Sequence, residues 1–146
     1  MGTSGGDSVF SGAGRIVAVG DLHGNHDGLR RILQGAGLID RRDRWCAWDT
    51  HLVQLGDVLG RGGEPGKIFR LLKRLEEEAP AFGSRVHLIL GNHEAMTLSG
   101  MHLYNTEEEL RDLAETNLLE TAVAEKAATA LAGASTAASA PLPASP

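Results

Sequence analysis

Apolar residues along this chain gather in three short runs separated by stretches of helical period. The runs are "RIVAVG" (15–20), "HLVQLG" (51–56) and "RVHLILG" (85–91), each ending on glycine. Short continuous apolar runs closed by turn-formers predict buried strands of a parallel sheet, covered on both faces. Between them, Leu29, Ile32 and Leu33 recur at helical spacing, and Gly35 and Gly37 close that helix. Pro65 opens a second helix, in which Ile68, Leu71, Leu72 and Leu75 fall at i, i+3, i+4 and i+7, and Pro80 ends it. The order β-α-β-α-β with right-handed crossovers predicts an α/β fold, a parallel sheet flanked by helices. Thr106 and Glu109 form a capping box for one more helix carrying Leu110, Leu113, Ala114 and Leu118. Residues 15–121 are expected to form one domain behind a flexible start (1–14). The Ala/Ser/Pro-rich residues 122–146 read as a tail, disordered beyond about 133.

The 146 residues suffice for one core. A net charge of -5 without Lys/Arg runs argues against a nucleic-acid backbone or an anionic membrane as partner. No secretory signal and no apolar run of membrane-spanning length is present, so a cytoplasmic location is expected. The lone Cys46 reads as a packed thiol rather than a nucleophile. The acidic runs Glu76–Glu78 and Glu107–Glu109 read as solvated faces.

Chemistry concentrates where the strands end. "GDLHGN" follows the first, "GDVLGRG" the second and "GNHE" the third. The carboxyl ends of neighbouring parallel strands lie about 4.8 Å apart and open into the crevice where ligands sit. Asp21, His23, Asp57, Asn92 and His93 are therefore expected in one small space. Carboxylate, imidazole and amide oxygen without thiolate suit Mn, Fe or Zn rather than copper or an iron–sulfur cluster. Asp57 can bridge two ions, and two ions about 3.5–4 Å apart can clamp a phosphoryl group and activate water. Arg61 could meet phosphate oxygens in a bidentate fork. Singly, each residue is better explained as a turn-former or a structural histidine. Three clusters in order at three strand ends reverse that balance.

The series "GDLHGN", "GDVLGRG", "GNHE" resembles the motifs of the calcineurin-like metallophosphoesterases, in their phosphoprotein phosphatase branch. The longer stretches "RIVAVGDLHG", "HLVQLGDV" and "GNHEAMTLSGMHLY" resemble the Shewanella-like phosphatases, over about Arg15 to Leu113. The resemblance implies a site of two divalent ions, with Asp21 and His23 on one, Asn92 on the other and Asp57 on both. It implies His93 as proton donor to the leaving oxygen, with Arg61 and Asn92 steadying the phosphate of a phosphoprotein or small phosphate ester. Two departures qualify it. Position 60 is Gly where the family has an acid that would orient the histidine matching His93, so Gly60→Asp is expected to aid turnover. The family's further metal-binding histidines lie in a second half that this sequence does not show. His51 and His87 stand early in their strands and read as structural; only His26 and His102 could reach the site. An amino-terminal half leaves apolar surface and an open sheet edge, so self-association or a complementary chain is expected. Alternatives remain a non-catalytic metal- or phosphate-binding module, and a nucleotide or dinucleoside polyphosphate hydrolase.

Overall fold

The computed structural model describes Phe10 and residues 12–116. Most of residues 1–14, expected to be flexible, all of the tail and Leu118 lie outside these residues. Three strands, β1 (Arg15–Val19), β2 (Thr50–Gln54) and β3 (Arg85–Leu88), form one sheet in the order β1-β2-β3. All pairings are parallel, with Val17 opposite Leu52 and Leu52 opposite Val86. The two crossovers carry α1 (His26–Gly35) and α2 (Pro65–Glu78). A 3-10 turn at Ala79–Phe82, the helix α3 (Asn92–Leu98) and the helix α4 (Glu107–Thr116) complete the described elements.

The predicted alternation of strands and helices is thus present, with each strand one to three residues shorter than its apolar run. Asn25 accepts the Gly28 N–H through Oδ1 at 2.9 Å and starts α1. Pro65 occupies the first turn of α2, where its missing N–H costs nothing. The helix α3 was not expected. Its sequence "NHEAMTL" has no apolar period, and it forms because Glu94 reaches back to the Gly91 N–H at 2.8 Å.

Both helices pack on one face of the sheet. Val17, Val19, Leu52, Val86 and Leu88 meet Leu29 and Leu33 of α1 and Ile68, Leu71, Leu72 and Leu75 of α2. Burying each such side chain contributes about 1.5–3 kcal/mol. The opposite face carries Ile16, Ala18, His51, Val53, Arg85 and His87, and Ile16 there is 68% exposed. The expectation of strands covered on both faces is therefore corrected. Two right-handed crossovers in the same direction put both helices on the same side, and among the described residues no helix covers the other.

Two smaller readings also change. Cys46 is exposed, its Sγ 3.6 Å from the Gly37 carbonyl, because it lies on the loop leading out to β2. The acidic runs are not wholly solvated: Glu78 accepts from the Trp45 N–H at 2.8 Å, and Glu109 is fully buried. No described helix is long and apolar enough to cross a membrane.

Candidate metal centre

The loops after the three strands are stitched together by backbone groups and two buried side chains. Asp57 gives its carbonyl to the N–H groups of Leu22 and His23 at 2.9 and 3.0 Å, and Val58 gives its own to Gly24 at 2.8 Å. That fastens the turn after β1 to the loop after β2. Gln54, 1% exposed at the end of the central strand, donates through Nε2 to the carbonyls of Gly20 and Gly56 and accepts from the Gly56 N–H. Glu94 fastens the third loop. Oε2 accepts from the Asp57 and Gly91 N–H groups at 2.7 and 2.8 Å, and Oε1 from Leu59 at 2.9 Å. A carboxylate taking three backbone N–H groups leaves little freedom to the chain that bears Asp57.

On this frame the ligand atoms of His23, Asp57 and His93 all lie within 4.8 Å of one another. The rings of His23 and His93 meet edge to face, centroids 4.8 Å apart. The His93 N–H donates to Asp57 Oδ1 at 3.0 Å. His23 Nδ1 lies 2.8 Å from the Leu59 carbonyl, and its Nε2 is 3.8 Å from Asp21 Oδ2. Asp21 is exposed beside this group, and Asn92 is exposed at the first position of α3. Arg61 is exposed on the loop after β2, its N–H held by the Tyr104 carbonyl at 2.8 Å. His26 sits at the start of α1 near Asp27 and His102 on an exposed turn; neither joins the cluster. His51 and His87 touch each other on the opposite sheet face, Nδ1 to Nε2 at 3.1 Å, and do not join the cluster.

Backbone strain marks the same residues. Among the described residues five non-glycines have positive φ, and three of them are His23, Asp57 and Arg61. Such conformations cost of order 1–3 kcal/mol each and cluster where a side chain must be aimed. Two glycines permit the close approach. A Cβ on Gly91 would run into Asp57, and one on Gly60 would overlap Nδ1 and Cε1 of His93. The Gly60 contact corrects the expectation that an acid at this position would support His93. With φ at +80° and the ring lying against the backbone, any side chain there displaces the imidazole first.

The residues fit divalent cations of the borderline kind. They offer imidazole and carboxylate, no thiolate, and an anchored His23 that leaves Nε2 free to ligate. Gln54, Glu94 and Glu109 were missed by the sequence reading. Gln54 left a signal, being a polar residue inside an apolar run just before Gly-Asp, and Glu109 left one as the partner of Thr106 in a capping box.

The chain belongs to the calcineurin-like phosphoesterase family, whose model matches residues 14–132. Within that class it is similar to Shewanella-like protein phosphatase 2 of Arabidopsis thaliana, 45% identical over 98 residues that make up 67% of this chain and 25% of the relative. Shewanella-like protein phosphatase 1 of Plasmodium berghei is 41% identical over 97 residues, 66% of this chain and 27% of that one. The crystal structure of the cold-active protein-tyrosine phosphatase of a psychrophilic Shewanella superposes with a TM-score of 0.62 at 32% identity, over 72% of this chain and 31% of the other. The chain thus spans about a quarter of the length of these two curated relatives.

Proposed function

We propose that the chain is the metal-binding portion of a phosphoesterase that hydrolyses phosphate monoesters, of the protein phosphatase kind, with two divalent ions of Mn, Fe or Zn. The convergence of His23, Asp57 and His93 at the carboxyl ends of three parallel strands carries this reading. Asp21 and His23 would hold one ion, Asn92 the other, and Asp57 both. When bound, such ions supply Lewis-acid charge and a water acidic enough to act as nucleophile at neutral pH. The chain's own residues do the rest. Arg61 takes two phosphate oxygens in its planar fork, Asn92 steadies a third, and His93 gives a proton to the leaving oxygen. The strained backbone at His23, Asp57 and Arg61 aims these groups before substrate arrives.

Titration calorimetry with Mn²⁺ and Zn²⁺ tests the reading, together with metal-dependent hydrolysis of an aryl phosphate. Binding in the micromolar range that weakens at least about tenfold in Asp57→Asn supports it. Equal binding by both proteins refutes it. A metal-binding module without turnover is the second reading, favoured by Gly60, which presents bare backbone to His93 where the family has an acid. Tight binding with no hydrolysis selects that reading.

A further inference from the structure

Two buried carboxylates hold the loop that follows β2, and the function proposed above uses neither. Glu94 grips its first half, at Asp57 and Leu59. Glu109, from the first turn of α4 and fully buried, grips its second half. Oε1 of Glu109 accepts from the Gly60 N–H at 2.5 Å, and Oε2 lies 3.4 Å from the Gly62 N–H. The carboxylate therefore brackets Arg61, whose own N–H is taken by the Tyr104 carbonyl. The capping box of α4 keeps Glu109 in place, with its N–H donating to Thr106 Oγ1 at 3.2 Å and Oε2 accepting from Thr106 at 3.4 Å.

What Glu109 holds is an improbable piece of backbone. Gly60, Arg61, Gly62 and Gly63 have φ of +80°, +76°, +89° and +81° in succession. Three glycines adopt this readily, but a flexible glycine run has many other states, and the Cβ of Arg61 disfavours it. A strained conformation persists only where its surroundings over-determine it. Around Arg61 the fixing groups are the Glu109 carboxylate on either side and the Tyr104 carbonyl in the middle.

We propose that Glu109 is a positioning residue for Arg61: by holding the Gly60 and Gly62 N–H groups it fixes the backbone from which the guanidinium meets a phosphate group. The proposal rests on the assignment of Arg61 as the phosphate-binding residue. Glu109 itself touches no substrate atom. A carboxylate that only stabilised the fold would, on removal, weaken metal and phosphate alike. One that positions Arg61 weakens phosphate alone, and only while Arg61 is present.

The test is binding of inorganic phosphate to the Zn²⁺-loaded chain by calorimetry, beside binding of Zn²⁺ alone, for wild type, Glu109→Gln, Arg61→Ala and the double variant. In Glu109→Gln an NH₂ group replaces one acceptor and opposes a backbone N–H. The expected result is phosphate affinity about tenfold weaker in Glu109→Gln, since one charge-assisted contact to the backbone is lost. Zn²⁺ affinity should stay within about twofold, and the substitution should have no further effect in the Arg61→Ala background. An equal drop in both backgrounds, or a matching loss of Zn²⁺ affinity, overturns the proposal. Loss of phosphate affinity in Arg61→Ala but not in Glu109→Gln overturns the role of Glu109 alone. Unchanged affinity in Arg61→Ala overturns the assignment of Arg61 and the proposal with it. If Glu109→Gln does not fold, Thr106→Val loosens the residue that bears the carboxylate, by removing the hydroxyl that accepts the Glu109 N–H. A phosphate-specific loss of about threefold is then expected, and its absence counts against the proposal.

Discussion

Nδ1 of His23 lies 2.8 Å from the carbonyl oxygen of Leu59. A carbonyl only accepts, so this nitrogen carries the ring proton and Nε2 keeps its lone pair, directed toward Asp21. An imidazole that ligates a metal needs that arrangement, one nitrogen anchored on an acceptor and the other free. Nitrogen NMR at neutral pH is expected to show the Nδ1-protonated tautomer, and added Zn²⁺ to move the Nε2 resonance while Nδ1 stays protonated. A shift at Nδ1 would contradict the geometry.

Glu94 takes the N–H groups of Asp57, Leu59 and Gly91. Truncation to alanine strands three donors at once, one buried and two part-buried, and a buried donor left unsatisfied costs about 1–3 kcal/mol. Glu94→Ala is expected to lose about 3 kcal/mol or more in urea unfolding, and Glu94→Gln less, because one acceptor survives. A loss under about 1 kcal/mol in Glu94→Ala would show that water replaces the carboxylate cheaply.

Gly60 lies against the His93 ring at a positive φ. Gly60→Asp must move the imidazole and adopt a left-handed backbone, so stability should fall by about 1–2 kcal/mol. Zn²⁺ affinity should fall with it, since the displaced ring lies edge to face against His23. Tighter metal binding in this variant, measured by calorimetry, would mean that the ring rotates aside and the acid serves it.

Burial, reinforced by His51 and Arg85 and opposed by Glu76, holds the His87 imidazole below its ordinary value near 6.5. Below that pH the unfolded chain takes up a proton that the folded chain refuses, so stability falls as acidity rises. Thermal midpoints measured from pH 7.5 down to 5.5 should decline, and the decline should be shallower in His87→Gln. Identical slopes would assign the loss to other groups.

The apolar runs and the leucine spacing made the strand–helix alternation legible, because a parallel sheet and its crossovers each impose their own period. The three Gly-polar clusters made the convergence at the site legible for the same reason: topology alone carries their strand ends together. The frame behind the site was not. Glu94 and Glu109 look like ordinary acidic surface residues, since what buries them is a set of backbone N–H groups on a distant loop, which no side-chain pattern records. The face of the sheet opposite α1 and α2 was misread because "IVAV" has the same composition whether one or both of its sides are covered. The order of the strands distinguishes the two, since successive right-handed crossovers in one direction put both helices on one side.

The left-handed conformation of Arg61 sets the chain's durability against the phosphate-binding role proposed for this residue. At φ +76° glycine is the residue the backbone prefers, so Arg61→Gly should raise the unfolding free energy by up to about 1 kcal/mol while removing the guanidinium. Selection for thermal robustness alone would therefore erode this position first. A variant library sorted only for folding should lose arginine here, and one sorted for phosphate binding should keep it.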